Sequence, residues 1–166
     1  MSFALTDSFL PFQSLELGQS DESKKAFEVE RQAISHAREP LSQGGWKREL
    51  FDNAIDLYLK CSKESWDGYE ASPITMKALE QTSSLIDSLP PWAPKPDIIP
   101  TPEGEISMEW HTLSKQVLSA YPKEEHLIYA ASLGPMNIQY GRFPFKESWP
   151  EEILLMLKKY FSHANS

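Results

Sequence analysis

The first half of the chain carries hydrophobic residues at helical spacing. In residues 46–60 the apolar positions that repeat on one side are Leu50, Phe51, Ala54, Ile55 and Tyr58. This repeat predicts an amphipathic helix whose charged side, which includes Lys47, faces solvent. A more polar repeat predicts a preceding helix over residues 22–38, which ends because Pro40 cannot continue it.

A third helix is predicted after Ser72. Serine is a favourable N-cap, and Pro73 suits the first helical position, where a backbone N–H has no partner in any case. The predicted buried stripe of this helix consists of Met76, Leu79, Ser83, Ile86 and Leu89. Residues 90–102 hold six prolines. They end the helix and are predicted to form a stiff, extended connector.

Strict alternation replaces helical spacing in the segment EISMEWH. Alternate side chains of a strand point to opposite faces, so Ile106, Met108 and Trp110 are predicted to be buried against helices. Glu109 and His111 are predicted to lie on the outer face. A slip of one residue would invert this arrangement.

Three more strands are predicted within residues 114–121, 126–132 and 136–141, separated by short turns. A final helix is predicted to start at Ser148-Trp149-Pro150, with buried positions Ile153, Met156, Leu157, Tyr160 and Phe161. This order of elements predicts an α+β fold, in which N-terminal helices and a C-terminal helix pack on a small antiparallel β-meander.

The domain organisation follows from length and composition. Residues 1–21 are rich in Ser, Asp and Gln and are interpreted as a flexible arm, and residues 22–166 are interpreted as a single domain. No apolar run is long enough to span a membrane, and the N-terminus lacks the features of a signal peptide. Cys61 is the only cysteine, so no disulfide forms within the chain. A cytoplasmic protein is expected.

The charge of the chain favours some partners over others. The net charge is -8, and residues 1–112 contain ten basic against nineteen acidic residues. No basic stripe is present, which argues against binding nucleic acid through its phosphates. The acidity of the first two thirds favours a basic protein partner, and it serves solubility equally well.

The segment Trp66-Asp67-Gly68-Tyr69 precedes the third helix and is first interpreted structurally. Gly68 suits an unusual backbone conformation, and Asp67 can accept hydrogen bonds from nearby N–H groups in a turn. Trp66 and Tyr69 would then fold over the sheet as large lids with polar tips. In the functional interpretation, Asp67 and Glu70 are exposed acids framed by aromatic residues.

The segments WDGYEASPI and PTPEGEISMEW together resemble a group of short, mostly uncharacterised bacterial proteins. The shared pattern is W-D-G-Y-x-A-x-P-I followed by P-T-P-x-G-x-I-x-x-E-W, and it spans about a quarter of the chain. This chain has Glu70 and Glu103 where Gly and Asp are expected. The resemblance implies a shared fold and an association with mobile or defence-related bacterial genes, but it implies no activity.

A second candidate site lies on the predicted strand. Glu109 and His111 share one face, and Pro96-Asp97 lies upstream, which partly matches the P-D…E-x-K carboxylate arrangement of metal-dependent nucleases. His111 stands where that arrangement has lysine. A solvated strand face is the simpler interpretation. The four histidines lack the spacing of a zinc site, and no glycine-rich phosphate loop occurs. No metal and no cofactor are therefore predicted.

The function predicted from the sequence is a non-catalytic, acidic protein-interaction module of bacteria or their mobile elements, such as a toxin-neutralising, immunity or inhibitor protein. The alternative is a metal-dependent hydrolase that uses Asp97, Glu109 and His111. The predicted partner-binding residues form an acidic rim, provided that the WDGY turn packs beside the Gly104 turn. They are Asp67, Glu70, Asp97, Glu103 and Glu105.

Overall fold

The computed structural model describes residues 20–37 and 45–162. The predicted arm therefore lies outside the described residues, apart from Ser20 and Asp21. Pro40, which was predicted to end the first helix, also lies outside them. Among the helices that are described, none is both long and apolar enough to cross a lipid bilayer.

Within the part of the chain that the structure describes, four helices flank the sheet in the sequence. They are α1 (Asp21–Ala37), α2 (Gly45–Lys60), α3 (Met76–Ser88) and α4 (Glu151–Met156), and α4 continues as a π-helical turn (Leu157–Phe161). Helix α2 packs against both α1 and α3. Its buried residues include the predicted positions Leu50, Phe51, Ala54 and Ile55.

The five strands form one antiparallel sheet in sequence order. They are β1 (Asp97–Pro100), β2 (Ile106–His111), β3 (Val117–Lys123), β4 (His126–Ser132) and β5 (Ile138–Pro144). Helices α2 and α3 pack on β1, β2 and β3. The predicted α+β fold, with helices before and after a meander, is confirmed.

The side chains of strand β2 lie on the two faces of the sheet as the alternation predicts. Ile106, Met108 and Trp110 are buried among the core residues, while Glu109 is half-buried and His111 is exposed on the other face. Ser107 lies on that outer face as well and is nevertheless buried, because its hydroxyl is 2.8 Å from the hydroxyl of Ser119 on β3.

The start of α3 differs from the prediction. Thr75 is the N-cap, and its hydroxyl accepts a hydrogen bond from the Ala78 N–H at 3.1 Å. Ser72 and Pro73 precede the helix. The Ser72 N–H donates to the Pro102 carbonyl at 2.8 Å, and the Ile74 N–H donates to the Cys61 carbonyl at 2.8 Å. These long-range bonds hold the segment outside the helix, so Pro73 does not occupy the first helical position.

The buried stripes of two helices also differ in part from the prediction. Met76 and Ser83 of α3 are half-buried, as are Met156 and Tyr160 at the C-terminus. The residues of α3 that the structure buries are Ala78, Leu79, Thr82, Leu85 and Ile86.

The proline-rich connector contains a strand. Residues 97–100 form β1, which pairs with β2 so that Asp97 lies opposite Glu109 and Pro100 lies opposite Ile106. Proline donates no ladder hydrogen bond and is tolerated on an edge strand, and β1 is at the edge of the sheet. The proline content correctly predicted an extended chain, but it did not predict that residues 97–100 pair with β2.

Lys47 is buried, contrary to the prediction that it faces solvent. Its Nζ donates to the Asp87 carbonyl at 2.8 Å and to the Leu89 carbonyl at the C-terminal end of α3. Burial lowers the pKa of Lys47, and the nearby charge of Asp87 partly opposes that shift. A cation at a helix C-terminus satisfies carbonyls that lack helical partners, which explains a buried lysine at this point.

Candidate functional site

The WDGY turn is closed by the side chain of Asp67. Its Oδ1 accepts hydrogen bonds from the Tyr69 N–H at 2.8 Å and from the Ala71 N–H at 3.3 Å. Gly68 has a φ of 82°, a conformation that residues with a Cβ rarely adopt. These contacts give the Asp67 carboxylate a role in the turn itself.

The two aromatic residues of the turn have different environments. Trp66 is half-buried against the core, and its Nε1 donates to the Ser72 carbonyl at 2.9 Å. Tyr69 is 81% exposed, so it is not the lid that the sequence suggested. Trp66 closes over the chain leading to α3, whereas Tyr69 extends into solvent beyond Gly68.

The WDGY turn is joined to the β1–β2 turn through the residues that follow it. The Ser72 N–H bonds the Pro102 carbonyl, and a Cβ on Gly104 would lie 2.6 Å from the Pro73 carbonyl oxygen. Gly104 also has a φ of 89°. Only glycine allows this approach without displacing backbone. The two segments that carry the sequence resemblance therefore contact each other.

The predicted acidic rim divides into residues with different surroundings. Glu70 and Glu103 are exposed on the two joined turns. The Glu105 side chain is only 12% exposed. Its Oε2 accepts a hydrogen bond from the Thr101 hydroxyl at 2.8 Å, and its Oε1 is 3.6 Å from Lys123 Nζ on the neighbouring strand. Glu105 is thus held within the β1–β2 turn and against β3.

Asp97 lies at the opposite end of β1 from the Glu103 turn. Its cross-strand partner is Glu109, whose Oε2 is 3.2 Å from His111 Nε2. The structure therefore brings together the three residues of the hydrolase alternative, although it separates Asp97 from the rest of the rim.

These three residues line a cleft of about 270 Å³ at the edge of the sheet, together with Pro94, Lys95, Trp110 and Phe161. A second cleft of about 400 Å³ runs between α2 and β1 and shares Lys95 and Asp97 with the first. Lys95 Nζ is 2.7 Å from Glu49 Oε1 on α2. Within residues 20–37 and 45–162, no three His, Cys, Asp or Glu side chains are arranged to hold a metal ion.

Two further residues have structural roles. Trp110 Nε1 donates to the Pro94 carbonyl at 2.8 Å, and its ring meets that of Trp149 edge-on with centroids 5.6 Å apart. Trp110 thereby ties β2 to the proline-rich segment and to the start of the last helix. Burial raises the pKa of the Cys61 thiol, which disfavours the reactive thiolate.

Exposed apolar side chains on the outer face of the sheet were not predicted from the sequence. Ile138 is 71% exposed and Tyr140 is 81% exposed, and both lie on β5. Ile99 on β1 is exposed on the same face. The alternation of residues 138–142 was a usable signal, because it places Ile138, Tyr140 and Arg142 on one face just as it does the residues of β2.

Comparisons with known proteins found no similarity to this chain: no family model matches it, and neither a curated protein nor a solved structure is a significant match.

Proposed function

We propose that this protein is a non-catalytic interaction module that binds a basic protein partner through its acidic turns. The observation that carries the proposal is the junction of the WDGY turn with the β1–β2 turn, which supports a common surface for the exposed carboxylates of Glu70 and Glu103. A toxin-neutralising, immunity or inhibitor role in bacteria or their mobile elements agrees with this chemistry.

The electrostatics support such a role. The chain carries a net charge of -8, and an acidic surface attracts a basic partner and raises the rate of association. Both turns are held by backbone hydrogen bonds, and the WDGY turn is also held by the Asp67 carboxylate, so little ordering is needed on binding. Glu105 and Asp67 would then act by holding the turns, and Glu70 and Glu103 by meeting the partner.

The test is affinity capture from bacterial extract with three proteins: the wild type, the double variant Glu70→Gln/Glu103→Gln, and a control. The control is Glu30→Gln/Glu147→Gln, which changes the net charge equally at exposed positions elsewhere. We expect a basic protein that the wild type and the control capture and the double variant loses.

The association rate of that captured protein is then measured at low and high salt. We expect the double variant to associate more slowly at low salt, with a difference that shrinks as salt screens charges beyond about 8 Å. Equal capture and equal association rates for all three proteins would mean that the acidic turns serve only solubility.

The second hypothesis, a metal-dependent hydrolase, rests on the shared cleft of Asp97, Glu109 and His111. Its test is the melting temperature with Mg²⁺, Mn²⁺ or Zn²⁺, compared between the wild type and Asp97→Asn. A functional metal site would raise the melting temperature of the wild type alone. Equal melting temperatures with and without each metal would reject this hypothesis.

A further inference from the structure

Strand β5 is exposed on its outer face, and no strand within the described residues pairs with its second edge. The exposed residues Ile138, Tyr140 and Arg142 occupy the outer face, and Gln139 is exposed on the face that the helices cover elsewhere. Helices α2 and α3 pack on β1, β2 and β3, which lie towards the opposite edge of the sheet from β5. An edge strand of this kind offers unpaired backbone groups to another strand.

The hydrogen-bond pattern identifies which backbone groups face the free edge. The Leu133 N–H donates to the Asn137 carbonyl, and the Phe145 N–H donates to the Glu125 carbonyl, at the two ends of the β4–β5 pair. Hydrogen-bonded pairs alternate along an antiparallel ladder. The odd-numbered residues of β5 therefore bond to β4, and the N–H and carbonyl groups of Ile138, Tyr140 and Arg142 point outward.

The side chains of β5 complement themselves about a twofold axis. In an antiparallel pair of β5 strands centred on Gly141, Tyr140 lies opposite Arg142 of the second copy, and Ile138 lies opposite Pro144. Arg142 is the only charged residue of the strand. Opposite residues share a face, so each guanidinium can lie over a tyrosine ring, which is a favourable cation–π contact.

The same register pairs the outward backbone groups. Tyr140 and Arg142 of the second copy exchange both N–H and carbonyl groups, and the Ile138 N–H meets the Pro144 carbonyl. Pro144 lacks an N–H, so one hydrogen bond to the Ile138 carbonyl is lost at each end of the ladder. Centring the pair on Arg142 would instead bring two guanidinium groups together.

We propose that the protein forms a homodimer in which two β5 strands pair antiparallel about Gly141 and extend the sheet across both copies. The proposal does not depend on the acidic turns, which lie on the β1–β2 side of the sheet. Because each copy carries a net charge of -8, repulsion between the copies opposes pairing at low salt. Dimerisation therefore strengthens as salt rises, whereas binding of a basic partner weakens.

The first measurement is sedimentation equilibrium of the full chain over a wide range of concentration. Two variants carry the same substitution at tyrosines of equal exposure, Tyr140→Lys and Tyr69→Lys. We expect Tyr140→Lys to weaken the dimer about tenfold, because each lysine meets Arg142 of the second copy. Tyr69→Lys should leave the dissociation constant of the dimer unchanged. A wild type that stays monomeric at every concentration, or equal weakening by both variants, would overturn the proposal.

Two further variants test the strand and its register. Tyr140→Pro removes an outward N–H that the monomer does not use, so we expect a folded monomer with an unchanged circular dichroism spectrum. Tyr140→Lys/Arg142→Glu should restore dimerisation, since lysine then meets glutamate of the second copy. A dimer that survives Tyr140→Pro, or no recovery in the double variant, contradicts pairing through β5.

Hydrogen exchange separates a second copy from another segment of this chain as the occupant of the edge. In the proposed dimer the amides of Tyr140 and Arg142 exchange faster on dilution. Slow exchange that does not depend on concentration would mean that the chain covers its own edge, and the proposal would fail.

Discussion

Strands β2 and β5 carry the same alternating pattern, but their apolar residues have opposite environments. On the β1–β2 side, Ile106, Met108 and Trp110 lie beneath α2 and α3 and are buried. On the β5 side, Ile138 and Tyr140 lie on the face opposite the helices, and both are largely exposed. Alternation therefore determines which residues share a face, and the position of the helices determines which face is buried.

The largest expected difference between the two strands concerns single aromatic residues. Trp110→Ala should lower the free energy of unfolding by about 3–5 kcal/mol, because it leaves a cavity beside Trp149 and removes the partner of the Pro94 carbonyl. Tyr140→Ala should change it by less than about 0.5 kcal/mol, measured by urea denaturation at a low protein concentration. Equal losses of stability would mean that Trp110 and Tyr140 do not differ in burial.

The junction of the two turns can be tested with two glycines of similar conformation. Gly68 and Gly104 both have positive φ, but only at Gly104 would a Cβ meet backbone, at 2.6 Å from the Pro73 carbonyl oxygen. Gly68→Ala should cost about 1 kcal/mol from backbone strain alone. Gly104→Ala should cost about 1–3 kcal/mol more. Indistinguishable midpoints in urea for the two variants would contradict the close contact at Gly104.

Helix α3 contains a buried hydroxyl group without a hydrogen-bond partner in the described part of the chain. Thr82 of α3 is fully buried, and its Oγ1 has no hydrogen-bond partner among the residues the structure describes. Thr82→Val should therefore raise the free energy of unfolding by about 1 kcal/mol. Thr75→Val at the N-cap of the same helix should lower it by about 1 kcal/mol. A loss of stability in Thr82→Val would indicate that the hydroxyl is satisfied.

The smallest expected effect is the pH dependence that the buried Lys47 contributes to the free energy of unfolding. Because the pKa of Lys47 in the folded protein lies below 10.5, the unfolded chain binds its proton more tightly than the folded chain. The contribution of this group to stability therefore rises with pH between the lowered pKa and 10.5, and is constant below that window.

The free energy of unfolding in urea is measured for the wild type and Lys47→Met across this pH range. The contributions of the other titratable groups cancel in the difference between the two proteins. We expect the stability of the wild type relative to the variant to increase with pH. A constant difference would mean that burial does not shift the proton affinity of Lys47.

The candidate sites were only partly predictable. The residues of the hydrolase alternative were named from a partial match to a short motif, and only the pairing of β1 with β2 shows that Asp97 lies opposite Glu109. The acidic rim was named from proximity in the sequence and from one assumed contact. That contact between the turns exists, but Glu105 is bound by Thr101 within the β1–β2 turn, and Asp97 lies at the far end of β1.

Features that depend on local periodicity could be predicted from the sequence. Period-two alternation placed Ile106, Met108 and Trp110 on one face, and helical spacing located α2, because each repeat reflects the geometry of a single element. The tertiary structure alone decided that Lys47 is buried, that Thr75 rather than Ser72 caps α3, and that Tyr140 is exposed. Each of these depends on a segment distant in the chain: the end of α3, the Pro102 turn, and the side of the sheet that the helices cover.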